Sequence, residues 1–176
     1  YSLPKNEIWD SFGTLSARLP SALGSLFLML MIGDTLFCWP QKSNRQFLTP
    51  IVASLAFALS PIIIIWSRTA VSDALLTGTL GISLLLFWRR MASENNDQCI
   101  SAWVFLGFAI LTKGPVAFVL ALLTITSFLF SQKNWKTLLC KINPKKGFLI
   151  TLLISVPWYI LEPVSYTHLR AHETVR

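Results

Sequence analysis

The 176-residue chain is 53% hydrophobic and only 13% charged, with a mean hydropathy of +0.58. An ordinary soluble domain carries about 25% charged residues, and here the apolar residues fall in long blocks, which excludes a soluble packed core and points to membrane spans. The net charge of +7 does not argue for nucleic acid, because the lysines and arginines sit in short clusters between apolar blocks, as orientation in a bilayer requires.

Residues 1–18 are mixed polar and aromatic, without a basic start followed by an apolar run. They carry no signal peptide, and the chain reads as an interior fragment whose start was lost upstream of Tyr1. Six apolar segments follow over residues 19–161: Leu19 to Trp39, Phe47 to Trp66, Val71 to Trp88, Ile100 to Thr112, Pro115 to Phe130, and Gly147 to Leu161. A helix needs roughly 20 residues to cross a hydrocarbon core, and the first three segments meet that directly. The fourth is short, about 20 Å by helical rise, so it either extends back into the polar loop or stops inside the bilayer. The expected fold is all-α, a polytopic transmembrane bundle of about six helices with no sheet and no internal repeat. Residues 165–176, SYTHLRAHETVR, turn abruptly polar and resemble a translated adapter tail, so they are treated as non-native.

The connectors fix an orientation. Those after segments one, three and five hold Lys42, Arg45, Arg89, Arg90, Lys133, Lys136, Lys141, Lys145 and Lys146, whereas the opposite ones hold only Arg68 and Lys113. The positive-inside rule puts the first group in the cytoplasm. Trp39, Trp66, Trp88, Trp135 and Trp158 fall near segment ends as interfacial anchors. Cys38, Cys99 and Cys140 all fall on the cytoplasmic side, where thiols stay reduced, and they read as structural.

The outer face then collects Arg18, Arg68, Asp73, Lys113 and Glu162, each beside an apolar run where an ionised group must be paired or wet. Asp73 starts the third segment. It either complements the positive end of that helix or faces a polar cavity at the membrane surface. Arg68 is either its salt-bridge partner or an anion ligand. Lys113, in Leu111-Thr112-Lys113-Gly114-Pro115, either snorkels to the headgroups or points into a cavity and holds an anion, most plausibly phosphate. In the second case Gly114-Pro115 would start a helix whose first N–H groups add to the anion site. Asp34 is expected to pair with Lys42 or Arg45, and Glu162 reads as an ordinary interfacial charge. His168 and His172, with Glu173 adjacent, have metal-pair spacing but lie in the suspected adapter tail, so no metal site is expected.

The runs Ser16-Ala17-Arg18-Leu19-Pro20-Ser21-Ala22-Leu23, Ser67-Arg68-Thr69-Ala70-Val71-Ser72-Asp73, Leu111-Thr112-Lys113-Gly114-Pro115 and Pro157-Trp158-Tyr159, in that order, resemble the bacterial branch of the protein mannosyltransferase superfamily. That branch includes the aminoarabinose transferase of lipid A and has the GT-C fold. The resemblance covers most of residues 12 to 161. It implies an inverting glycosyl transfer at the periplasmic face of the bacterial inner membrane, from a polyprenyl-phosphate-linked sugar donor to a lipid, glycan or protein acceptor.

It further implies that Lys113 and Arg68 bind substrate and that Asp73 matches a second acidic residue important for activity. No organic cofactor is implied, and a divalent metal is left open for the full-length parent. The principal catalytic aspartate of that family lies in a long outer loop, and the resemblance makes residues 1–18 the tail of that periplasmic loop; Asp10 does not match the aspartate. The fragment alone is therefore expected to be inactive. The competing expectation is a transporter or flippase, which would place charges nearer the bilayer midplane and show repeated halves.

Overall fold

The computed structural model describes residues 7–39, 47–68, 72–92 and 97–173, and among these it contains eight helices and no strand. They are α1 (Glu7–Cys38), α2 (Leu48–Ala58), α3 (Pro61–Arg68), α4 (Ser72–Ala92), α5 (Asp97–Lys113), α6 (Pro115–Phe130), α7 (Trp135–Ile142) and α8 (Pro144–Glu173). The chain forms two compact units, residues 1–85 and 86–176, with α4 contributing its first part to one and its last part to the other.

In the first unit α1 is the organising helix. Over Arg18–Cys38 it is long and apolar enough to cross a membrane unaided; Leu48–Ala58, Cys99–Lys113 and Pro115–Phe130 are apolar but shorter. The chain turns back after α1, with the Phe37 and Phe47 rings 5.7 Å apart, and α2 runs antiparallel to it, the Ser54 hydroxyl donating to the Met29 carbonyl at 3.3 Å. The predicted second span is interrupted. A proline cannot supply a ladder N–H, and Ser60-Pro61 divides the stretch into α2 and α3, both packed on α1.

Glycines bring α4 alongside α1. A Cβ added at Gly78 would come within 2.7 Å of the Gly24 carbonyl oxygen, and one at Gly81 within 2.8 Å of the Leu28 side chain. Removing side chains at such a crossing lets two backbones approach closely, which is how helices associate where lipid is the solvent. The order of these contacts, Gly24 to Gly78 and then Leu28 to Gly81, makes α1 and α4 parallel.

The second unit is built on α5. Thr151 donates to the Trp103 carbonyl (3.2 Å), Ile154 lies against Gly107, and the Tyr159 hydroxyl donates to the Ile110 carbonyl (3.2 Å), so α5 and α8 run parallel. α5 does extend back into the polar connector, to Asp97, and α6 returns antiparallel after the single-residue break at Gly114. α7 lies within a stretch expected to be a loop. Its Trp135, Leu138, Leu139 and Ile142 fall on one helical face, with Lys136 and Lys141 off it, the pattern of an amphipathic helix.

The C-terminal carbonyls of α7 have no intrahelical donors, and side chains from α4 and α5 satisfy them. Arg90 Nε donates to Lys141 (3.2 Å), while Cys99 Sγ (2.9 Å) and Trp103 Nε1 (3.0 Å) both donate to Ile142. Arg90, expected in an open cytoplasmic connector, is thus buried as part of this cap. Asn143 ends α7 in the left-handed conformation at φ 48°.

Ser83 and Phe87 on α4 are wholly enclosed, whereas Phe130 on α6 is 90% exposed and Leu153, Phe47 and Leu59 are also largely open. Large apolar side chains pointing outward over most helices are what a bundle presents to lipid. α4 itself buries Gly78 and Ser83 and half-buries Thr77, Thr79 and Gly81, a small and polar set suited to close packing.

Candidate functional site

The break between α5 and α6 is the best-defined polar feature at a helix end. α5 closes on Lys113, and Gly114 takes φ 74°, ψ −147°, a region open essentially to glycine alone. Pro115 then occupies the first position of α6, where its missing N–H costs nothing. The Ile110 carbonyl accepts from the Gly114 N–H at 2.7 Å and from the Tyr159 hydroxyl at 3.2 Å. A Cβ at Gly114 would sit 2.9 Å from that same hydroxyl.

The turn is therefore held from both sides, and Thr112 adds a hydroxyl bond to the Ala109 carbonyl at 2.7 Å. Lys113 projects from it, exposed, at the end of a rigid support. Pro157-Trp158-Tyr159 and Leu111-Thr112-Lys113-Gly114-Pro115, separate in sequence, meet here. The sequence shows both runs but not their contact, because only the fold brings Tyr159, in the middle of α8, beside the end of α5.

In the first unit Asp73 lies in the first turn of α4, half-buried, with its backbone carbonyl accepting from the Thr77 hydroxyl at 2.8 Å. Ala74, the next residue, faces Gly24 of α1. Arg18 is exposed six positions earlier on α1, about 9 Å by helical rise. α3 packs on α1 and ends at Arg68, and the parallel α1–α4 crossing puts Arg18 and Asp73 toward the same end of this unit. The Arg68 and Glu162 side chains lie outside the described residues, as do those of Asp10, His168, His172 and Glu173. Asp73 and Lys113 belong to different units.

Asp34 is exposed, with the Cys38 thiol 3.9 Å from its Oδ1; the expected partners Lys42 and Arg45 lie outside the described residues. Cys99 is buried, and Cys38 and Cys140 are exposed. Among the described residues no group of three His, Cys, Asp or Glu side chains is placed to hold a metal.

An all-helical bundle that leaves large apolar side chains exposed along most of its helices is a polytopic membrane protein. Over residues 7–161 the chain matches the family described as dolichyl-phosphate-mannose-protein mannosyltransferase, and it belongs to that family. It is 27% identical over 173 residues to undecaprenyl phosphate-alpha-4-amino-4-deoxy-L-arabinose arabinosyl transferase 2 of Pseudomonas fluorescens, covering 94% of this chain and 30% of that protein. It is 26% identical over 147 residues to the corresponding arabinosyl transferase of Erwinia tasmaniensis, covering 78% of this chain and 25% of that one. The chain thus spans less than a third of the length of the curated relatives it matches. No solved structure matches it.

Proposed function

We propose that this chain is part of a membrane glycosyltransferase that moves a sugar from a polyprenyl-phosphate donor to an acceptor hydroxyl or amine at the periplasmic face of the bacterial inner membrane. The relatives are named for transfer from undecaprenyl phosphate-linked aminoarabinose, and this supports the donor class. The observation that carries the reading is Lys113, an exposed cation on a turn whose geometry Gly114, Pro115 and Tyr159 hold fixed. When the acceptor atom attacks the anomeric carbon, the bond from that carbon to the donor's phosphate oxygen breaks and the electron pair leaves with the phosphate. A cation held rigidly beside that oxygen stabilises the developing charge without reorganising.

The family resemblance makes Arg68 a second anion-binding candidate and Asp73 the group that orients the acceptor and takes its proton. The activity belongs to a protein longer than this span, and the span alone is expected to be inactive. In the full-length protein, Lys113→Ala is expected to lower kcat/KM for sugar transfer by about 10²- to 10³-fold, the scale for losing one fixed charge-stabilising group. Asp73→Asn is expected to lose about 10²-fold or more, and Lys113→Arg to keep part of the activity. Wild-type rates in both Lys113→Ala and Asp73→Asn would show that the chemistry lies elsewhere.

A further inference from the structure

We infer that the second unit carries a binding site for an anionic phospholipid, formed by an apolar groove under α7 and the lysines of α7 and the start of α8. The groove encloses about 390 Å³ between α5, α6, α7 and α8, with Trp103, Phe118, Ile125, Leu139 and Phe148 among its walls and Lys145 at its edge. A second hollow of about 190 Å³ shares Thr126, Leu129 and Leu139 with it and extends the groove to Phe130 and Trp135. The larger volume lies within the range of small-ligand sites, about 300 to 1,000 Å³. Its shape is open along the exterior, where an acyl chain can enter sideways from lipid.

Charge decides which lipid. Lys133, Lys136, Lys141, Lys145 and Lys146 flank this groove in sequence, and no acidic residue occurs between Asp97 and Glu162. Lys136 Nζ sits 5.5 Å from the Trp135 ring centroid, which ties one of these ammonium groups to the amphipathic helix. Lys145 and Lys146 are exposed beside the groove, and Lys141 is half-buried with its backbone carbonyl capped by Arg90. Lys145 in the groove wall, on a lysine-rich α7–α8 stretch with no carboxylate in the local sequence, complements a phosphate-bearing headgroup whose acyl chain lies in the apolar groove. The groove lies at the end of α5 near Cys99 and Trp103, whereas Lys113 closes the other end, so this site is separate from the turn assigned to sugar transfer.

The inference rests on the chain being embedded in a bilayer, not on the transferase reading. The test uses the full-length protein in nanodiscs of phosphatidylcholine with phosphatidylglycerol added, followed by native mass spectrometry of retained lipid. Phosphatidylglycerol is expected to be enriched over phosphatidylcholine on the protein. Removing the charge with Lys141→Gln, Lys145→Gln and Lys146→Gln is expected to lower that preference by about fivefold per lysine. Filling the groove with Ile125→Trp is expected to reduce retained lipid of either kind while the protein keeps its circular dichroism and elution volume.

Equal retention of the two lipids by wild-type protein overturns the proposal. So does an unchanged preference in the triple variant, or a groove with no lipid because another segment of the protein fills it. Sugar transfer assayed in parallel separates the two readings: the lysine variants at the groove leave it measurable, and Lys113→Ala does not.

Discussion

Gly114 and Tyr159 depend on each other in a way that single substitutions can expose. The left-handed backbone at Gly114 excludes any Cβ without strain of about 1 to 3 kcal/mol, and the Tyr159 hydroxyl occupies the space a Cβ would take. Gly114→Ala is therefore expected to lower the thermal midpoint in detergent markedly. Tyr159→Phe, which removes only the bond to the Ile110 carbonyl, is expected to cost about 0.5 to 1.5 kcal/mol. Because the alanine methyl and the tyrosine oxygen compete for one space, the double variant is expected to be less destabilised than the sum of the two. Strict additivity in a thermal-melt or proteolysis cycle would show that the two residues do not touch.

At the scale of helices, the α1–α4 crossing rests on missing side chains. Gly78→Leu would push a side chain into the Gly24 backbone and is expected to disrupt the first unit, whereas Leu26→Ala, on an exposed face of α1, is expected to be nearly neutral. The measurement is protease resistance of membrane-embedded protein; equal resistance in the two variants would remove the crossing as a structural determinant.

The same scale shows what the sequence can disclose. α6 runs over the predicted residues, Pro115–Phe130, because a glycine-proline start and a polar Ser131-Gln132-Lys133-Asn134 end bracket one apolar run. The second span is continuous in hydropathy because Ile62 to Ile65 keep it apolar past Pro61, and hydropathy does not register a missing backbone donor. α7 carries no span signal because eight residues with two lysines average to a loop, although their apolar positions follow a helical period. α1 starts at Glu7, within the stretch read as loop, since polar residues at helical spacing carry no membrane signal. The charged candidates were legible as charges beside apolar runs. Their supports, such as Tyr159 at Gly114, were not, because those contacts join residues 45 or more positions apart.

For the whole molecule, the decisive question is which end faces out, because a polyprenyl-phosphate chemistry on the periplasmic side requires Lys113 there. The loop charges predict that orientation, and the three cysteines provide its test without altering the fold. Cys38 and Cys140 are exposed and Cys99 is buried; all three lie on the predicted cytoplasmic side. With other thiols removed, a membrane-impermeant maleimide added to spheroplasts is expected to leave the protein unlabelled. Lys113→Cys is expected to become labelled under the same conditions, since its side chain is exposed on the opposite end of α5 from Cys99. Permeabilising the membrane should then open Cys38 and Cys140 to the reagent and leave Cys99 protected by its burial under α7. Labelling of Cys140 from outside would invert the topology, place Lys113 in the cytoplasm and remove the periplasmic reaction, whatever the family of the chain.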